Sequence, residues 1–527
     1  KKQPDFQKLV RRLAYTREFI CIVEGADSKF KPERVLPKSG LGLNWQLAEC
    51  DGMHVLRFIT NQYFLEKSEY ISKLSRNEKE VVDNVRALLE HPSVGFYRVP
   101  ATETMRIGRR LEDYFAIRAE PSLYLTHYMH PYKGKFHPKM ARALLNYVYP
   151  EDDGLVLDNF AGSGTLLVEA VLMGLDARGI EINPLSTLMS NVKCQSLKIS
   201  PKDLGKAIKT FLESAKDAFS QIQMAGKGQK FLDPKTDFKE VAKEMEALPK
   251  RVKNGFKGKK ETVAQIMVAR RLLKQVEEGP QKDFLLLALS GAVSDSFRRT
   301  MADFYDVLSA RLMDLYLRLF LFQELNKTLS IDLGDSVCYT EDTRDMKSIP
   351  DESIDAIVNS PPYSTALDYI RNDEPQLVLL ELAGDIMDLE NQMIGNPKHN
   401  PSLREMLASL DDQDSKLPAY AIKKIQFLAD SGRRDAALRC LKFFLDMHAS
   451  LKEMHRVMRP DAKAAIVIGN NHFKVQGRFE EIENVGTIMQ MGRMIGFEKD
   501  KIVERELEKS SSGMIRKEAV IVLRKPV

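Results

Sequence analysis

The chain has 527 residues, 43% of them hydrophobic and 29% charged, enough for roughly two to four globular domains. Its 79 basic and 74 acidic residues leave a net charge of +5, which permits a polyanionic partner without demanding one. No run of about eighteen uncharged apolar residues argues for a membrane span, the opening KKQPDFQKLVRRL lacks the apolar stretch of a secretory signal, and five singly scattered cysteines argue against a disulfide framework or a zinc site and for a reducing, cytoplasmic setting.

Residues 1–125 mix strand-like runs, FICIVEG (Phe19 to Gly25) and MHVLRFI (Met53 to Ile59), with a helical repeat in EKEVVDNVRALLEH (Glu78 to His91). They read as a small α+β domain, a candidate for binding substrate, with Trp45 as core. Residues 126–200 open an α/β pattern. GLVLDNFAGSGTLLVEAVLMG (Gly154 to Gly174) is a buried strand, a glycine-rich turn and a helix, and DARGIEINP (Asp176 to Pro184) is a second strand ending in an acid. Strand, glycine turn, helix, strand, acid is how a doubly wound α/β sheet begins.

Residues 201–330 are almost wholly helical and read as an insertion after the second strand, a candidate for target recognition. Within it, Lys250 to Lys260 (KRVKNGFKGKK) has six basic residues, no acidic one and two glycines. It is expected to be a mobile basic loop, with Lys250, Arg251 and Lys253 meeting phosphate. The α/β pattern resumes over 331–527. DSVCYTEDTRD and SIDAIVNSPPY are a third and fourth strand, and AKAAIVIGN, DKIVEREL and EAVIVLRK supply three more, around an irregular, partly helical excursion at 375–435.

Two turns carry the chemistry. In Asp158-Asn159-Phe160-Ala161-Gly162-Ser163-Gly164-Thr165, glycines let the backbone turn tightly against a ligand, and the helix N-terminus that follows favours negative charge. Glu181, about twenty residues on, is placed to accept both hydroxyls of a ribose. In Asn359-Ser360-Pro361-Pro362-Tyr363, two prolines fix the backbone and remove amide donors, leaving acceptors that suit an exocyclic amine. Tyr363 is expected to stack on a flipped base.

DNFAGSGT resembles the cofactor motif DPFxGSGT of the amino-methyltransferase superfamily of DNA and RNA enzymes, and NSPPY resembles the branch of it whose catalytic motif is Ser-Pro-Pro-Tyr. GIEINP is similar to its ribose-binding segment, YTEDTRDMKSIPDESIDAIV to its run from the adenine-binding acid, and KGKFHPKMARALLNYVYP to the helix over the methionine end. The matched blocks cover roughly 130–200, 335–373 and 455–525. The resemblance implies a Rossmann-like class I methyltransferase sheet with a large helical insertion and a small α+β N-terminal domain. It also implies S-adenosyl-L-methionine as cofactor, held by Lys135, Phe136, His137, Pro138, Asp158, Phe160, Ala161, Gly162, Gly164, Thr165, Glu181, Ile182, Asn183, Asp342 and Thr343. Ser360, Pro361, Pro362 and Tyr363 are the implied catalytic residues, with Asn359, Asp368, Tyr369 and Arg371 toward the substrate.

The implied reaction is methylation of cytosine N4 in nucleic acid, because serine heads the catalytic motif. DNA is favoured narrowly over structured RNA, with a cognate restriction enzyme as partner if DNA is the target. Guanine N2, adenine N6 and a non-catalytic nucleic-acid-binding role are the alternatives. No metal and no membrane partner are expected. Asn470, Asn471 and His472 are candidates for the pocket wall, and Arg298 and Arg299 for phosphate contacts.

Overall fold

Strands pair where apolar runs are short, and their order decides which loops meet. The computed structural model describes residues 18–24, 44–50, 53–59, 95–100, 126–149, 153–226, 238–298, 303–329, 333–362, 369–396, 405, 416–475, 478–506 and 517–527. Near the N-terminus, β1 (Glu18–Glu24), β2 (Asn44–Cys50), β3 (Met53–Ile59) and β4 (Gly95–Pro100) form a sheet in the order β2-β3-β1-β4. FICIVEG and MHVLRFI are its antiparallel neighbours β1 and β3, while β4 joins β1 in parallel. The helix expected over Glu78 to His91 and the side chain of Trp45 lie outside the described residues.

The central sheet is built from β5 (Leu155–Asp158), β6 (Asp176–Glu181), β7 (Ser336–Thr340), β8 (Ile354–Asn359) and β9 (Met458–Ile468). After a hairpin of β10 (Asn471–Val475) and β11 (Arg478–Ile482), β12 (Glu498–Glu506) and β13 (Lys517–Arg524) complete it. Its order is β12-β13-β9-β8-β5-β6-β7. Pairing is parallel from β9 through β7, and β13 runs antiparallel to both of its neighbours. This is the Rossmann-like sheet expected. Parallel strands are covered on both faces, which explains why VLD and IDAIV are apolar without a polar alternation.

Side chains divide with a period of two. Leu157, Ile357, Ile466 and Ile521 join a core made with the C-terminal helices on one face, while Val156, Val358, Val467 and Val522 point the other way and are as deeply buried. On that second face lie α1 (Pro138–Val148), α2 (Thr165–Leu172) and α3 (Pro184–Gln195). Pro138 opens α1 at a position where its missing N–H costs nothing, and the Asn183 side chain caps α3 by accepting from the Leu185 amide at 3.0 Å.

The helical segment folds as α4 (Pro201–Gly226), α5 (Phe238–Ala247), α6 (Lys250–Gly255), α7 (Lys260–Leu273), α8 (Pro280–Arg298) and α9 (Phe304–Leu329). After β8 come α10 (Tyr369–Leu379), α11 (Ile386–Gln392), α12 (Ala419–Asp430), α13 (Arg434–Val457) and α14 (Asn484–Ile495). The basic segment is therefore corrected: Lys250 to Gly255 is a helical turn, anchored by fully buried Val252, and only 256–259 loops to the next helix. Nor is residue 200 a break in the core. Leu185, Met189 and Val192 of α3 and Ile370 and Leu377 of α10 share one apolar cluster with α4, α7, α8 and α9. No helix among the described residues is long and apolar enough to cross a membrane.

Candidate active site

The chain leaves β5 and visits β6 and β7 on one side, then returns to lay β8 on the other side of β5. Such a reversal opens a crevice beyond the strand ends. Because β5 and β8 are parallel neighbours, paired at Val156–Ala356 and Leu157–Ile357, the glycine turn and the double-proline turn emerge side by side. Between them lies a cavity of about 890 Å³, counting its open mouth.

The glycines are required there. Gly162 and Gly164 have φ of +50° and +76°, a region that side chains disfavour. A Cβ on Gly164 would come within 2.7 Å of the Ser190 backbone, so the turn could not seat on α3 with any other residue. A Cβ on Gly162 would stand 3.2 Å from the Tyr132 hydroxyl.

Four acids line the cavity, Asp158, Glu181, Glu341 and Asp342, and three of them have fixed partners at its wall. Glu181 accepts from the amides of Gly162 at 2.8 Å and Asn183 at 2.9 Å, which ties the end of β6 to the glycine turn. Burial nonetheless raises its pKa, and the two amides only partly offset this. Asp158 accepts from the Phe160 amide at 3.0 Å, and burial, with a smaller contribution from Glu181, lifts its pKa to about 8. Asp342 is gripped by Arg344, whose Nε lies 2.8 Å from one carboxylate oxygen and whose Nη2 lies 2.5 Å from the other. Arg344 also reaches Asp446 at 2.8 Å, so the Asp342 side chain is fixed before any ligand arrives.

At the second turn, Ser360 Oγ donates to the Val467 carbonyl of β9 at 3.3 Å. Its one proton is thereby engaged, and its lone pairs remain as acceptors. Pro361 is buried and Pro362 half-buried at the cavity wall. Opposite, Tyr369 stacks on Tyr132 with ring centroids 5.8 Å apart and 17° between planes.

Behind the glycine turn sits a layer of buried charge. Lys193 donates to the Ser163 carbonyl, and Lys135 donates to the His127 carbonyl. Glu169 accepts from Arg142 Nε at 2.7 Å and pairs with His127 at the same distance. Burial, opposed by Glu169, lowers the His127 pKa to about 4, and burial lowers that of Lys135 to about 8.

Of the residues singled out in the sequence, Phe136, Asp158, Phe160, Ala161, Gly162, Thr165, Glu181, Ile182, Asn183, Asp342, Thr343, Ser360, Pro362 and Tyr369 line the cavity. Lys135, His137, Pro138 and Gly164 stand behind this wall, holding the segment that leads into α1 and the N-terminus of α2. Asn359 is a correction: it is fully buried, its amide engaged by Asn159, and does not reach the wall. Arg371 pairs with buried Glu390, and Arg251 with Glu374 at 3.3 Å, so neither is an idle cation awaiting phosphate. Lys253 reaches the Glu246 carbonyl, and Lys250 is exposed.

Asn470 and Asn471 are likewise corrected, since they bond Glu481 and Asn484 around the β10–β11 hairpin, and His472 is exposed on it. Tyr363, Asp368, Arg299 and the side chain of Arg298 lie outside the described residues. Tyr132, Asn159, Glu341 and the segment 392–394 also form the wall, though the sequence did not single them out for it. Asn159 alone had a signal, since it departs from the proline of DPFxGSGT.

A family model described as RMKL-like, methyltransferase domain matches residues 127–230. The type II methyltransferase M.MvaI of Kocuria varians is 26% identical over 380 residues, covering 67% of this chain and 78% of the relative. The tRNA (guanine(10)-N2)-dimethyltransferase of Methanocaldococcus jannaschii is 32% identical over 131 residues, covering 23% of this chain and 36% of the relative. The solved structure of a DNA modification methylase from Thermus thermophilus, complexed with S-adenosyl-L-methionine, is 18% identical, with a TM-score of 0.19. That match covers 35% of this chain and 54% of the other.

Proposed function

We propose that the chain is an amino-methyltransferase of nucleic acid, as its similarity to such enzymes supports, and that it methylates the exocyclic N4 amine of cytosine in DNA. The observation that carries this reading is the Ser360 hydroxyl, whose proton is held by the Val467 carbonyl. Beside two prolines without N–H groups, such a corner offers acceptors and no donors. It suits an amine and disfavours a ring carbonyl. Accepting an N–H also draws the amine's lone pair out of conjugation with the ring, toward the glycine turn on the neighbouring strand. Serine in place of a carboxylate leaves the proton to depart to water after transfer.

S-adenosyl-L-methionine is the cofactor, and the residues present fit it. The cavity between the two turns is lined by Asp158, Glu181, Asp342 and the glycine turn. Thr165 Oγ1, buried at its wall, has no hydrogen-bond partner among the described residues, and the N-terminus of α2 carries no side-chain cap. Glu181 would hold the ribose hydroxyls, Asp342 and Thr343 the adenine edge, and Asp158 with the glycine-turn amides the methionine end. Bound there, the cofactor supplies a methyl group on a positively charged sulfur. The chain's part is to align the amine and exclude water.

Pro361, Pro362 and Tyr363 are assigned to catalysis, and Asp368 and Tyr369 to binding the base. A cognate restriction enzyme and a cytoplasmic location belong to the same proposal. The experiment is to incubate the protein with tritiated cofactor and separate samples of DNA, tRNA and rRNA, then digest each to nucleosides. N4-methylcytosine from DNA is expected. The second reading is the same chemistry on structured RNA, and the similarity over 131 residues to a tRNA guanine-N2 enzyme favours testing it directly. Label confined to RNA would replace the DNA assignment, and N2-methylguanine or N6-methyladenine would overturn the cytosine assignment.

A further inference from the structure

We infer that Asn159 and Asn359 are positioning residues whose side-chain hydrogen bond sets the spacing between the cofactor turn and the catalytic turn. The inference rests on the functional reading above. Asn159 is 1% exposed and Asn359 fully buried. Asn359 Nδ2 donates to Asn159 Oδ1 at 2.6 Å, and Asn159 Nδ2 donates in turn to Thr343 Oγ1 at 2.7 Å and Ser450 Oγ at 3.0 Å. Thr343 and Ser450 stand 3.0 Å from each other. One amide thus joins the turns after β5, β7 and β8 to the long helix α13.

The need for such a tie follows from the strand pairing. β5 and β8 are in register only at Val156–Ala356 and Leu157–Ile357. Beyond those pairs the two turns separate to make room for the cavity, and no backbone ladder holds their spacing. Asn159 and Asn359 lie two residues past the last pair on each strand, and their bond is the first cross-link there. Transfer needs its reacting atoms about 3 to 3.5 Å apart, and a displacement near 1 Å costs on the order of a hundredfold in rate. A 2.6 Å bond between buried groups sets that spacing better than packing alone. Unlike Asn159, Asn359 is absent from the cavity wall, so its replacement acts through the tie rather than by touching a ligand.

The test compares the full-length protein with Asn159→Leu, Asn359→Leu and the double variant, measuring kcat, KM for cofactor and nucleic acid, and Tm. Each single variant leaves one amide buried without its partner, so both should lower Tm. The double variant removes both amides, leaves Thr343 and Ser450 bonded to each other, and should regain part of the lost Tm. A tie that serves only folding would leave the kcat of folded Asn359→Leu near that of the wild type, whatever its Tm. A positioning tie leaves kcat at least about tenfold down in Asn359→Leu, with its cofactor KM within about threefold of wild type.

Recovery of kcat in the double variant, or a kcat in Asn359→Leu within about threefold of wild type, overturns the inference. Failure of the wild type to methylate any nucleic acid would instead remove the functional reading, and the inference with it. Comparison of variants with an active wild type therefore separates the two failures.

Discussion

The side-chain nitrogen of Lys193, fully buried beneath the glycine turn, donates to the carbonyl of Ser163 at 2.7 Å. Burial holds its pKa well below the ordinary lysine range, with the nearby Lys135 ammonium pushing the same way. Between its depressed folded pKa and the unfolded lysine value of about 10.5, the unfolded chain binds more protons at this position than the folded one, and stability rises with pH there. Lys193→Met should flatten that rise by up to roughly 1 kcal/mol per pH unit. Urea unfolding at pH 8 and 9.5 measures it. Equal slopes in wild type and variant would show that Lys193 does not titrate in this range.

Asp158 is shifted in the opposite sense. With its pKa raised to about 8, the folded chain keeps a proton there that the unfolded chain has lost. Its contribution to stability is complete below the unfolded value of about 3.9 and disappears as pH rises through 8. A cationic methionine end against Asp158 would favour the carboxylate, so cofactor binding at pH 7 should release a proton. Calorimetry in two buffers of different ionisation enthalpy reads the release, and Asp158→Asn should abolish it. Buffer-independent heats in the wild type would remove Asp158 from the cofactor site.

Ser360→Ala removes the acceptor assigned to the amine and touches nothing on the glycine side. Turnover should fall on the order of ten- to a hundredfold with cofactor affinity held within about threefold. Parallel loss of both would mean that the turn matters only for structure.

Glu181→Ala and Asp342→Ala should behave in the reverse way. Glu181 holds the amides of Gly162 and Asn183, and Asp342 is fixed by Arg344, so both variants should weaken cofactor binding before they slow transfer. Losses of about tenfold or more in affinity are expected by equilibrium dialysis. Unchanged affinity in both would dismiss the two acids.

In the basic segment, Lys250, Lys253 and Lys257 are exposed, while Arg251 pairs with Glu374 of α10. Replacing the three lysines with glutamine should flatten the dependence of log affinity on log salt, by about 0.9 for each duplex phosphate that is no longer neutralised. An unmoved slope would make α6 a solvated surface.

The sheet strands were legible because buried parallel strands are short apolar runs, and the two turns because glycine at positive φ and consecutive prolines leave few alternatives. What the sequence hid came from distance. Tyr132 meets Tyr369, and Asn159 meets Asn359, across 237 and 200 residues, and no local pattern marks either pair. The basic segment misled because two glycines outweighed Val252 and Phe256, whose spacing buries one face and makes the first residues helical. The β10–β11 hairpin was missed because its polar alternation resembles a loop.

The helices between β6 and β7 bury their apolar faces against α3 and α10, and Ser290 of α8 bonds His130 at 2.9 Å just ahead of the cofactor segment. Exchanging this block for a relative's would therefore uncover the apolar faces of α3 and α10 that it covers.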